Sequence, residues 1–200
     1  MTSTKSNNMA AQEAGGEKSR HDIIQECLIE SGGRVAAISE RFMHGQAEAG
    51  EFLETVATHI DDLAKAGQFT DAFATGVMAL VTAFRCRFSP RQCAVPYLMT
   101  LLGLAVNGAV AQQMAAINGD SFASGHFEAI DAELGPLVYA SYRELGGEEL
   151  LPEDVRAPFA SLADWTDPNA EFQGRKITAA LAPDILCDIA SRLTAMGAIE

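Results

Sequence analysis

The sequence predicts an all-α protein: one globular multi-helix domain of about eight or nine helices around a buried central helical hairpin. Three observations carry this. Apolar residues recur at three- and four-residue spacings along most of the chain. Gly, Asn and Pro fall between those runs, where they end and restart helices. No alternating strand pattern flanks a two-residue hairpin turn.

The elements follow in order. Residues 1–18 are rich in Ser, Thr, Asn and Gly and lack an apolar run, which predicts a disordered tail and no ordinary secretory signal. The tail's composition is similar to that of type III secretion signals. The helical domain is expected over 19–200. Ser19 can cap a first helix through Ile23, Ile24, Cys27 and Leu28, and Gly32-Gly33 should stop it. Val35, Ile38 and Phe42 mark a second helix ending near Gly45. A third, about Ala47 to Ala66, carries the stripe Phe52, Val56, Ile60 and Leu63.

Thr70 or Asp71 suits the N-cap of a fourth helix through Phe73, Val77, Leu80 and Phe84. Ser89-Pro90 marks a break and restart, and the next helix should run to Asn118-Gly119 with a bend near Pro96. Ser121 or Ser124 begins another through Phe127, Ile130 and Leu134, which Gly135-Pro136 kinks or restarts before Gly146-Gly147. Pro152 opens a short helix with Val155, Phe159 and Leu162. Residues 164–174 are expected as a loop turning at Asp167-Pro168-Asn169. Ile177, Leu181, Ile185, Ile189 and Leu193 mark a final helical region, interrupted at Pro183 and ended by Gly197.

Between Asp71 and Asp120 the only charged residues are Arg85, Arg87 and Arg91. Apolar segments flank them, and helices apolar all round lie inside protein or in lipid. Ala72 to Phe84 makes about 20 Å of helix, too short for a bilayer core of about 30 Å. Pro96, Asn107, Gln112 and Gln113 interrupt or border the second segment, Ala94 to Ala111. Core is therefore preferred over membrane. The small residues Gly103, Ala105, Gly108, Ala109 and Ala111 let neighbouring backbones approach, and part of this surface could serve a homodimer.

Hydrophobic residues make up 48% of the 200, enough for a sizeable core, and the net charge is −13. Such a field repels phosphates, so no direct nucleic-acid binding is expected. Acid is concentrated at residues 144–171, where eight carboxylates face only Arg156. Within it Glu148, Glu149, Glu153, Asp154, Asp164 and Asp167, with Trp165 as an aromatic anchor, form a candidate acidic docking surface. The simpler account is a solvated, loop-rich face. Cys27, Cys86, Cys93 and Cys187 form no Cys-x-x-Cys pair. They are expected as small hydrophobes among apolar helices, in a reducing cytoplasm.

Motifs for chemistry are scarce. No His-Glu-x-x-His, phosphate loop or Gly-x-Ser-x-Gly occurs, so no metal, cofactor or catalytic set is assigned. His126 and Glu133 share a helix face and form an alternative polar pair. Arg85, Arg87 and Arg91 lie between one helix end and the next helix start, a place suited to an anion or a protein partner. Helix-end electrostatics and salt bridges are the plainer account of them.

The function expected is a non-enzymatic cytoplasmic protein-interaction module, an adaptor, regulator or inhibitor acting through an acidic surface and helical contacts. Its partner would be another protein, of basic charge in one version, where the chain mimics nucleic acid and inhibits that protein. The alternative is an all-α enzyme or small-ligand-binding protein with its pocket beside the central hairpin.

Overall fold

The structure is a computed structural model that describes residues 18–199, apart from the side chain of Trp165. The tail expected over residues 1–18 lies outside the described residues except for Lys18, which pairs with Glu26 at 2.6 Å. The described residues form eight helices: α1 (Arg20–Met43), α2 (Ala49–Lys65), α3 (Phe69–Arg85), α4 (Ala94–Ile117), α5 (Ser121–Glu144), the single turn α6 (Gly147–Leu150), α7 (Glu153–Trp165) and α8 (Ala182–Ala195). Short 3-10 turns precede α4 at Pro90–Gln92 and α8 at Ala179–Leu181.

Ser19 caps α1 as expected, its side chain accepting from the Asp22 N–H while Asp22 reaches back to the Ser19 backbone. Gly32-Gly33 does not stop the helix. The two expected helices are one, running unbroken from Arg20 to Met43. The cause is tertiary. Ser31 is buried against α2, and a Cβ on Gly32 would stand 3.5 Å from the His59 ring. Packing on α2 outweighs a glycine cost of about 1 kcal/mol each. The true stop is Gly45 at φ +67.

α2 buries Phe52, Val56, Ile60 and Leu63, the expected stripe, and Phe52 stacks on Phe42 with ring centroids 4.6 Å apart. α3 begins at Phe69, and its N-cap is Gln68, two residues before Thr70 and three before Asp71. Pro96 falls in the first turn of α4, where a missing N–H breaks no helix bond, so it need not bend the helix. Pro136 lies inside α5 without ending it. The Ala132 carbonyl that loses its helical donor belongs to an exposed residue, where water can replace the bond. Pro183 is likewise no interruption: it sits at the start of α8.

Residues 164–174 are more ordered than a loop. α7 runs through to Trp165, and the turn at Asp167 is closed by Asn169 N–H on the Asp167 carboxylate at 2.8 Å. A two-stranded antiparallel hairpin follows, β1 (Glu171–Phe172) and β2 (Arg175–Lys176), joined by Gln173 (φ +51) and Gly174 (φ +74). Two residues per strand are too few for an alternating pattern to show.

The central hairpin exists, and its two arms differ. α3 is enclosed by α2, α4 and α8, with Phe73, Val77 and Leu80 fully buried. Gly76 admits the Leu104 side chain of α4, and Gly108 admits the Phe73 ring, so the small residues serve the α3–α4 crossing. The polar residues of α4 are satisfied within the helix: Thr100 donates to the Pro96 carbonyl and Asn107 to that of Gly103, each at 2.8 Å. α4 is buried on one side only. Among the described residues it is the one helix long and apolar enough to cross a membrane, and half of its most apolar window is buried inside the protein.

Candidate functional site

Among the described residues, the open side of α4 carries apolar side chains that no other element covers. Val95, Met99, Val106, Met114 and Ile117 are exposed, and Phe122, just beyond the Gly119 turn, is 60% exposed. Leu102 and Val110 lie half-buried between them. Residues 95, 99, 102, 106, 110, 113 and 117 recur every three or four positions, so they share one face. No Asp, Glu, Lys or Arg occurs anywhere in α4. Covering a Val, Met or Ile side chain is worth roughly 1–2 kcal/mol, so a face of this length favours contact with another apolar surface.

The three arginines are placed as one exposed corner, though they do not converge. Arg85 ends α3 and opposes its negative pole. It lines a shallow cleft with Val81, Cys187 and Ser191 against α8. Arg91 faces a different cleft, with Glu144, Leu145 and Leu150. Arg87 has φ +59 between them. Its N–H donates to the Phe84 carbonyl and the Phe88 N–H to that of Ala83, both at 3.0 Å, so it occupies the left-handed closing position usual for glycine. Among the described residues none of the three arginines makes an ion pair.

The acidic residues are exposed and split into two groups. Glu148 and Glu149 lie on α6, and Glu153 and Asp154 in the first turn of α7, where carboxylates offset the positive helix pole. Asp164 lies at the far end of α7, and Asp167 is engaged in its own turn. Glu144 accepts from the Ala179 N–H at 3.2 Å, tying α5 to the segment before α8.

His126 and Glu133 have separate partners. His126 Nδ1 lies 2.9 Å from the Phe122 carbonyl, and its ring packs on Phe122 with centroids 4.3 Å apart. Glu133 accepts from Arg192 at 2.8 Å, and Arg192 also meets Asp188 at 2.6 Å, which joins α5 to α8. The cysteines depart from expectation: all four are free thiols, but Cys27, Cys86 and Cys187 are exposed, and only Cys93 is half-buried.

Three features have no local mark in the sequence. A cleft of about 400 Å³ lies between α5 and the chain after α7, lined among others by Tyr139, Arg143, Glu144, Lys176 and Thr178. It forms only when the hairpin folds back on α5, so no local motif marks it. Second, the Ser31 hydroxyl lies 2.8 Å from His59 Nδ1. Burial holds the His59 imidazolium below its ordinary pKa, partly countered by Asp62. Ser31 is 1% exposed, which denies a substrate access, so this is a bond between helices rather than a nucleophile and its base. Third, Tyr97 is wholly buried, and burial pushes its phenol up to about 12. Neither its hydroxyl nor that of the buried Ser141 makes a well-formed hydrogen bond.

Among the described residues no group of three or more His, Cys, Asp or Glu side chains gathers as metal ligands would. Compared with protein-family models, with curated proteins and with solved structures, the chain gives no match in any of the three.

Proposed function

We propose that this chain is a non-enzymatic protein-interaction module of the reducing cytoplasm, acting as an adaptor, regulator or inhibitor. The observation that supports this best is the charge-free, exposed apolar face of α4 in a protein of net charge −13. Such a face favours burial against another apolar surface, and the net charge of −13 limits which proteins approach. Exposed free thiols on α1, after α3 and on α8 suit a reducing compartment. The acid-rich surface on α6 and α7 is the second contact, suited to a basic partner and salt-sensitive.

Capture of partners from the native cell tests this, with wild type compared against Val106→Glu and against Glu148→Lys combined with Glu149→Lys. Loss of the same captured protein with either variant is expected. Identical capture by all three would overturn the proposal.

A second reading is a small-ligand-binding protein, supported by the cleft beside α5. Its size suits a small molecule, and it offers two cations, two carboxylates and an aromatic ring. A thermal-shift screen of small zwitterions and carboxylates tests it, with Arg143→Ala expected to remove any shift.

A further inference from the structure

The cleft beside α5 holds both signs of charge, and they do not pair with each other. Arg143 and Glu144 come from the end of α5, Asp167 from the turn after α7, and Lys176 from β2. Each cation has carboxylates at hand. Yet among the described residues none of the four makes an ion pair.

Local structure holds these charges apart. Glu144 Oε1 accepts from the Ala179 N–H at 3.2 Å, and Asp167 Oδ1 from the Asn169 N–H at 2.8 Å. Each carboxylate keeps its charge there, and its second oxygen can still accept. Arg143 lies one turn beyond Tyr139, its guanidinium carbon 6.0 Å from the ring centroid. The hairpin sets the place of Lys176. The next residue, Ile177, is buried, and its N–H donates to the Ala170 carbonyl at 2.9 Å. Neighbouring strand residues point to opposite faces. Arg175 accordingly meets Asp184 of α8 at 2.8 Å, while Lys176 lines the cleft.

We infer that this cleft takes a small zwitterion with one ammonium and one carboxylate group. The ligand's carboxylate meets Arg143 and Lys176. Its ammonium meets the second oxygens of Glu144 and Asp167, and its apolar body covers the Tyr139 ring and Ile177. The inference rests on the small-ligand reading above and names the ligand class. Two arguments select a zwitterion over a simple ion. Two cations and two carboxylates leave the cleft without net charge, so a singly charged ligand satisfies one pair and desolvates the other unpaired. The net charge of −13 also repels an anion at long range, and a ligand of zero net charge avoids that repulsion. The volume, about 400 Å³, lies towards the small end of ligand sites.

The test is a titration of the isotopically labelled full chain, read by amide NMR shifts. The probes are phenylalanine and δ-aminovalerate, whose charges lie close together and far apart. At least one should bind with a Kd on the order of 1 mM or tighter. Its shifts should centre on residues 136–144 and 166–178. Acetylating the amine of that probe, or amidating its carboxylate, should each weaken binding at least about tenfold. Arg143→Ala and Lys176→Ala should weaken it, while Arg175→Ala, on the other face of the hairpin, should not. Unchanged amide shifts outside the cleft confirm that each variant is folded. If the acetylated or amidated form binds the cleft as tightly, the zwitterion is overturned and the small-ligand reading stands. If no probe shifts the cleft, both are overturned. Binding indifferent to Arg143→Ala and Lys176→Ala, or located elsewhere, also overturns the inference.

Discussion

Ser31 on α1 and His59 on α2 meet at 2.8 Å, Oγ to Nδ1, across the joint that holds the first helix to the bundle. Ser31 is buried and His59 half-buried. Burial lowers the His59 pKa, so the folded protein favours the neutral ring. Between the folded and unfolded values the unfolded chain binds more protons, and stability rises with pH there. The contribution is complete above the unfolded value of about 6.5 and is lost as pH falls through it. Urea denaturation at about pH 7.5 and about pH 5.5 should show wild type losing stability on acidification. His59→Gln should lose less between the same two conditions; an equal loss would remove His59 as the source.

Two glycines in helices should respond oppositely to alanine. Gly33 in α1 has no atom within 4 Å of an added Cβ. Gly33→Ala should stabilise by about 0.5–1 kcal/mol, since alanine loses less backbone freedom in a helix. A Cβ on Gly76 would stand 2.5 Å from Leu104 Cδ2 and 3.0 Å from Ile60 Cδ1. Both neighbours are buried, so Gly76→Ala should cost about 1–3 kcal/mol through overpacking where α2, α3 and α4 meet. Chemical denaturation of the two variants checks the opposite signs.

Arg87 takes a left-handed conformation that glycine adopts without penalty. Arg87→Gly should therefore raise stability by up to about 1 kcal/mol, read as a higher melting temperature. A loss instead would mean that the Arg87 side chain stabilises the corner through contacts outweighing its backbone cost. Strain of this kind concentrates at functional positions, so the stabilised variant is also the one to test for lost partner binding.

The Tyr97 and Ser141 hydroxyls are buried without a well-formed hydrogen bond. The Ser141 hydroxyl partly offsets the raised Tyr97 pKa, so at most a poorly formed bond is lost with the Tyr97 hydroxyl. Tyr97→Phe keeps the ring against Phe84 and Phe88 and should change stability by less than about 0.5 kcal/mol, or raise it. A loss of about 1 kcal/mol or more in denaturant titration would reveal a bond made in solution.

Much of the fold was legible locally. Ser19 announces α1, Phe52 to Leu63 announces α2, and Gly67, Gly119, Gly146 and Gly197 mark turns by their positive φ. The departures from local chemistry share one cause. Gly32-Gly33, Pro136 and Pro183 are helix breakers by their own chemistry, yet neighbours or position in the helix make them tolerable. The candidate sites were less legible. Arg85, Arg87 and Arg91 are close in sequence, but their clefts differ because the chain turns sharply at Arg87. His126 and Glu133 suit each other by helical spacing, but Phe122 and Arg192 engage them instead.

By itself the sequence determined that the chain is helical, where most helices end, and that residues 72–119 form its apolar centre. These follow from local periodicity, capping and turn chemistry, which act over a few residues. Only the tertiary structure decided which side of α4 is open. α4 is apolar all round, so its sequence does not distinguish a buried face from a free one. The distinction comes from which helices pack on α4: α5, α3 and α2 cover one side, with Gly76 and Gly108 admitting Leu104 and Phe73 at the α3–α4 crossing, and Val106 lies on the side they leave open.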